Sequence, residues 1–240
     1  MKNFLIPTRL TPDTIAAVKT AINHSENGNT KIILFFVTDE IDSFSAAQYL
    51  REQDSQITHK ELDVLDSCRD LIKHFPNCKL EFKRQSGISS PLFKNFLQFH
   101  SVDLILLTKS IVTSKKSVHT NLVQSIENQK TPILRLINDS TIQLNKAIYL
   151  ENAFSRLNID DVQQYMQDQF PLQKISQVLK KEQETSEYIN FLLTEVLSKN
   201  DIDFVIETRT SERSKIKNKK QNGLNQHFDI PVLSLHEETV

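Results

Sequence analysis

Few residue types in this chain are grouped in ways that could do chemistry. Cys68, His74 and Cys78 offer sulfur and imidazole ligands. Cys68 and His74 would lie almost two helical turns apart, and a zinc site needs more ligands converging in tetrahedral geometry. Structural cysteines and a surface histidine are the expectation, with no metal. Ser89 and Ser90 are potential nucleophiles, but no histidine-plus-acid partner is placed for them. They read as a helix cap before Pro91, and the Phe93, Phe96 and Phe99 cluster reads as core packing. No catalytic residue emerges, so the chain is not expected to be an enzyme. Arg209, Arg213, Lys215, Lys217, Lys219 and Lys220 form a basic run that could touch nucleic acid or acidic lipid. No aromatic residue interleaves it, and an exposed, mobile loop is the simpler expectation. Arg9 and Lys109 remain, and their chemistry depends on where the strands end.

The elements that would position these groups follow from hydropathy. Phe4-Leu5-Ile6 is a short apolar run. Thr11-Pro12-Asp13 then supplies an N-cap, a first-turn proline and a first-turn acid. Ile15, Val18 and Ile22 follow at helical spacing, with Gly28 as the expected stop. Ile32 to Val37 lacks alternation, as a strand buried on both faces does. A short helix is expected around Phe44, Ala47 and Leu50, and a firmer one through Leu62, Leu65, Cys68 and Ile72. Lys79 to Lys83 alternates, which marks a strand near a sheet edge. Gly87 ends it, and Ser90-Pro91 opens a helix with Leu92, Phe93, Phe96 and Leu97 facing inward. Val102 to Leu107 is a buried strand. A helix through Leu122, Val123 and Ile126 leads to a fifth strand at Pro132-Ile133-Leu134. Strands alternating with helices imply a parallel sheet covered on both faces. On that reading, Arg9 and Lys109 stand at neighbouring strand C-termini and could bind an anion by side-chain charge.

The remainder repeats this order in brief. Strands are expected at 146–150, 173–179 and 202–206, and helices at 160–170 and 186–199. Val102-Asp103-Leu104-Ile105-Leu106 parallels Ile202-Asp203-Phe204-Val205-Ile206, and Thr108-Lys109 parallels Thr208-Arg209. Pro132-Ile133-Leu134 parallels Pro231-Val232-Leu233 at nearly the same downstream distance. Two matches in register read as a duplication, with units at 1–140 and 141–240. The second unit is short by about a helix and a strand, those equivalent to residues 41–83.

Composition limits the functions available. Only Gly28, Gly87 and Gly223 occur, so a glycine-rich ligand loop is nearly excluded. A net charge of -1 sets up no bulk attraction to nucleic acid or membrane. The longest apolar run is far short of the ~20 residues a membrane helix needs. Two cysteines cannot make a disulfide framework. A cytoplasmic protein without a membrane association is expected.

With these anchors placed, the first unit resembles the universal stress protein family. The usual opening, an apolar strand running into Pro-Thr-Asp, corresponds to Leu5-Ile6-Pro7-Thr8-Arg9. Gly87, Asp103-Leu104-Ile105 and Pro132-Ile133-Leu134 match the later landmarks. The resemblance covers 1–137 well and 146–240 loosely, as a degenerate tandem copy. It implies a doubly wound α/β fold with a parallel sheet of order 3-2-1-4-5, and any ligand beside the order reversal. It also implies a pocket lined by Thr8, Arg9, Val37, Thr38, Thr108 and Lys109. Arg9 replaces the acid of nucleotide-binding members. Thr108 to Lys130 contains no glycine, and Thr208 to Phe228 contains only Gly223. The resemblance therefore implies a stress-response protein that has lost ATP binding, needs no cofactor, and acts through protein contacts or as a small-ligand sensor. The alternative is a nucleotide- or anion-binding member with an altered pocket. A protein partner is expected but not named, homo-oligomers are open, and nucleic acid is disfavoured. One joint is specific: Ile133 to Ile137 should pair antiparallel with Val232 to His236 within the monomer, covering a sheet edge.

Overall fold

A computed structural model describes residues 2–25, 28–39, 57–137, 145–152, 155, 157–169, 174–181, 195, 202–210 and 230–240. The chain divides into two compact units, 1–129 with 139–141, and 130–138 with 142–240. The segment 130–138, which closes the first set of strands in sequence, thus belongs with the second unit.

The first unit contains β1 (Lys2–Thr8), α1 (Asp13–Asn23), β2 (Thr30–Thr38), α2 (His59–Lys73), β3 (Cys78–Ser86) and α3 (Ser90–Phe99). It continues with β4 (Leu104–Leu107), the short turn α4 (Lys109–Val112) and α5 (Ser117–Glu127). Its strands are parallel and ordered β3-β2-β1-β4. β1, β2 and β4 are buried almost throughout, which requires helices on both faces. This is the α/β architecture expected from the alternation of elements.

Several local expectations need correction. α1 stops at Asn23 with His24 in a right-handed cap, well before Gly28. Thr11 does not cap α1, because its hydroxyl donates to Asp13 instead. Ser89 holds the N-cap position of α3 without a side-chain cap bond, while the Ser90 hydroxyl pairs with Ser125 at 2.7 Å. Leu92 and Phe99 do not face inward. They are 58% and 84% exposed, and only Phe93 and Leu97 are buried on α3. The helix around Phe44 lies outside the described residues, and so does the one over 186–199 apart from Glu195, which is helical.

The second unit contains β5 (Ile133–Arg135), β6 (Lys146–Asn152), α6 (Ile159–Gln169), β7 (Lys174–Lys181), β8 (Phe204–Arg209) and β9 (Val232–His236). Its strand order is β5-β9-β8-β6-β7. β9, β8, β6 and β7 are parallel, and β5 joins β9 antiparallel. Ile133, Leu134 and Arg135 pair with Ser234, Leu233 and Val232, so the expected joint between these runs forms. Leu134 and Leu233 are fully buried. Arg135 bonds Glu207 at 3.2 Å, Lys130 pairs with Glu238, and Arg209 donates to the Thr131 carbonyl at 2.6 Å. Arg209, expected in an exposed loop, is therefore a half-buried brace; 211–229 lie outside the described residues.

One hydrogen-bonding device recurs in both units. The Asp103 carboxylate accepts the Asn3 N–H at 2.7 Å, and the Asp103 N–H donates to the Asn3 carbonyl at 2.9 Å. In the second unit, the Asp203 carboxylate accepts the Lys146 N–H and the Asp203 N–H donates to the Lys146 carbonyl, both at 3.0 Å. Each aspartate precedes an apolar strand and ties its start to that of the central strand. The motif that suggested a repeat in sequence is thus the residue that sets strand register.

Candidate functional site

In the first unit β1 lies between β2 and β4, so chain order reverses between β1 and β4. Ligands of open α/β sheets sit beyond the strand C-termini at such a reversal. Thr8 ends β1, Thr38 ends β2, and Thr108 follows β4.

The crevice is occupied by the chain's own polar groups. After Thr8 the backbone turns at Leu10, whose φ of 54° is unusual for a residue with a Cβ. That turn aims the Leu10 N–H at the Thr8 hydroxyl, 2.8 Å away, and Thr8 pairs with Thr14 at 2.6 Å. It also brings the start of α1 back over the strand ends. Asp13, buried, accepts the Thr11 hydroxyl at 2.6 Å and the Ser110 N–H at 2.9 Å. The Thr11 and Ser110 hydroxyls lie 2.8 Å apart. A hydroxyl has one hydrogen, and that of Thr11 goes to the carboxylate, so Ser110 donates to Thr11. Thr108, 3.2 Å from the Ser110 hydroxyl, then donates to Ser110. Arg9 directs its guanidinium to the Ser110 carbonyl at 3.4 Å, while Lys109 is exposed.

A second group of contacts joins β2 to the segment after β4. His119 is buried, with Nδ1 2.7 Å from the Ser114 hydroxyl. A hydrogen bond to the Val37 main chain also holds the ring beside β2. Burial pulls the His119 pKa down and the nearby Arg9 charge adds to this, against the opposing Val37 bond. The imidazole is therefore neutral at pH 7. Thr38 Oγ1 is buried and has no hydrogen-bond partner among the described residues.

Of the six residues placed at this pocket from sequence, Arg9 and Thr108 meet at Ser110, while Thr8 instead bonds Thr14 and the Leu10 N–H. Val37 is engaged through His119, Thr38 stands beside it at the end of β2, and Lys109 lies outside these contacts. Asp13, Ser110 and His119 were not foreseen as site residues. Asp13 was visible only as a helix-start acid, and nothing in the spacing of His119 marks it. Cys68 is buried in α2, which pushes its thiol pKa up to about 11, while Cys78 bonds Ser25 and His74 is exposed. Among the described residues no group of three or more His, Cys, Asp or Glu could hold a metal. No described helix is long and apolar enough to cross a membrane.

No known family profile matches the chain, and no curated protein matches it. Solved structures do. A universal stress protein from Archaeoglobus fulgidus aligns over 98% of this chain and 98% of its own, with 10% identity and a TM-score of 0.58. The chain has the universal stress protein fold. A functionally unknown protein from Pseudomonas aeruginosa aligns over 98% of this chain and 92% of its own, at 9% identity and a TM-score of 0.55. A universal stress protein solved in complex with cAMP covers 56% of this chain and 96% of its own, at 15% identity and a TM-score of 0.41. Within the universal-stress fold, the Asp13–Ser110 pair and, separately, the Ser114–His119 pair stand at the end of the sheet where the topology reverses.

Proposed function

We propose that this chain is a non-enzymatic, tandem universal-stress-type protein that has given up nucleotide binding and serves a stress response through protein contacts. The observation that carries this reading is the Asp13 carboxylate on the Ser110 N–H. A phosphate group at this reversal would need main-chain N–H groups directed at it. Here a buried anion of the chain's own already takes that donor, and a second anion beside it would be repelled. The segment that would need glycines to wrap a phosphate contains none between Thr108 and Lys130. The paired aspartates Asp103 and Asp203 support the tandem reading. Thermal-shift assays and calorimetric titration of the full chain with ATP, AMP and phosphate test the proposal. No shift and no heat are expected. A Kd for ATP below about 10 μM, about -6.8 kcal/mol, overturns it.

The Thr38 hydroxyl, without a partner among the described residues, favours a second reading, in which a small uncharged ligand donates or accepts at Thr38. A melting-temperature rise with such a ligand, abolished by Thr38→Val, would select that reading.

A further inference from the structure

The α3 helix leaves one flank uncovered. Phe35 on β2 packs on Phe93 and Phe96, with ring centroids 6.1 and 4.7 Å apart. This places α3 on the sheet face that carries Lys31, Ile33 and Phe35. Leu92, Phe96 and Phe99 follow at i, i+4, i+7 spacing and form a single stripe. On β3, the register partners of Lys31, Ile33 and Phe35 are Lys79, Glu81 and Lys83. Partners on adjacent parallel strands point the same way, so these residues share the face of α3. β3 is the outermost strand of the first unit. The Lys79 and Lys83 side chains remain 74% and 44% exposed. No described helix covers this strip, and the result is a ledge with an apolar wall and a lysine floor.

The charges on the floor do not balance. Lys31, Lys79 and Lys83 reach the Glu81 carboxylate at 3.1, 3.5 and 3.7 Å. One carboxylate against three ammonium groups leaves two positive charges. α3 has no acidic residue to offset them. His100 lies against Phe96 and meets Phe99 edge-on, with centroids 4.4 and 5.0 Å away, and Lys31 Nζ is 3.4 Å from its Nδ1. A phenylalanine as exposed as Phe99, beside a second large apolar residue, is the kind of patch that marks an interaction surface.

We infer that this ledge docks an acidic amphipathic helix of a partner protein, its apolar side on Leu92, Phe96 and Phe99 and its carboxylates over Lys79 and Lys83. Charge selects the occupant. A second copy of this ledge would set lysine against lysine, whereas carboxylates complete the pairing that Glu81 begins. Dimensions agree. Leu92 to Phe99 spans about 10 Å along the helix, and Lys79 to Lys83 about 13 Å along the strand. A partner helix of a few turns engages both rows, in the helix-in-groove manner. This names the surface for the protein-contact reading above and rests on it.

The test is selection of peptides from a random 16-residue display library against the full-length chain, followed by titration of the enriched peptides. The expected peptides are rich in Asp and Glu, with apolar residues at helical spacing. Phe99→Ser with Leu92→Ser should weaken them about tenfold or more, as loss of a hot spot does. Lys79→Glu with Lys83→Glu should do likewise, and raising salt should weaken the wild-type complex. All four side chains are partly or fully exposed, and unchanged melting temperatures will show that the variants fold. Enriched peptides without acidic bias, or binding indifferent to both double variants, overturn the inference. So does preferred binding of single-stranded oligonucleotide or anionic vesicles at this ledge, or self-association through it. A thermal shift with ATP would overturn the nucleotide-free reading and leave the ledge intact. A library without ledge-binding peptides would do the reverse.

Discussion

Asp103 and Asp203 make the same pair of main-chain bonds at the starts of β1 and β6, yet the opposite ends of those strands differ. In the first unit the C-terminal end carries separate hydrogen-bonded groups, Thr8 with Thr14, Asp13 with Ser110, and the buried His119 with Ser114. In the second, the Tyr149 phenol, its pKa raised mainly by burial, faces Thr208 and Ser155. The second unit also carries an antiparallel joint that the four strands of the first lack. The difference teaches which constraints persist. Strand register must be set at the start of every β-α-β unit, and one carboxylate sets it. The ligand end of a sheet contributes less to folding and is free to be refilled.

The largest effect should come from the joint. Leu134→Asp with Leu233→Asp places two carboxylates opposite each other at buried positions, costing more than about 4 kcal/mol. Urea unfolding should show the loss, and amide exchange should show protection failing in β8 and β9. A folded double variant would mean β5 contributes little to the second unit.

Loss of stability in acid should be the next largest effect. Burial, with Lys2 adding to it, lowers the His24 pKa from 6.5 to about 4, and burial also lowers those of His119 and His236. Below pH 6.5 the unfolded chain therefore binds more protons than the folded one, and stability falls as pH drops towards the folded values. His24 alone accounts for on the order of 3 kcal/mol by pH 4. Urea midpoints between pH 7 and 4 should fall, and His24→Gln should flatten the slope. An unaltered slope would mean His24 protonates freely in the native state.

The aspartates give a smaller and more symmetrical prediction. Asp103→Ala and Asp203→Ala should each cost about 1–2 kcal/mol, the range for losing a charge-assisted bond to a main-chain donor. Values that differ by more than about 1 kcal/mol would break the equivalence. Smallest is the matched pair that follows them. Arg209→Ser removes the brace to Thr131 and should cost about 1 kcal/mol, whereas exposed Lys109→Ser should stay within about 0.5 kcal/mol. Equal melting temperatures for the two variants would remove that distinction.

The strand succession was legible because buried parallel strands such as Ile32 to Val37 lack alternation and edge strands such as Lys79 to Lys83 show it. The β5–β9 joint was legible from two apolar runs that follow proline. The outward turn of Leu92 and Phe99 was not, because a helix with apolar residues over much of its circumference does not say which stripe meets the sheet. The site was half legible. Thr8 and Thr108 follow from strand ends, but Asp13 enters only through the left-handed Leu10, and leucine carries no signal for that conformation.

The β5–β9 joint also has a consequence in time. Leu134 and its partner Leu233 are roughly a hundred residues apart, and synthesis at about 5–20 residues per second delivers the second about 5–20 s after the first. During that interval β5 has emerged with no antiparallel partner, while the strands of the first unit already have theirs. A nascent chain arrested between the two positions should expose Ile133 and Leu134 to whatever binds apolar strands near the ribosome, making this segment the natural place for a chaperone to hold the growing protein.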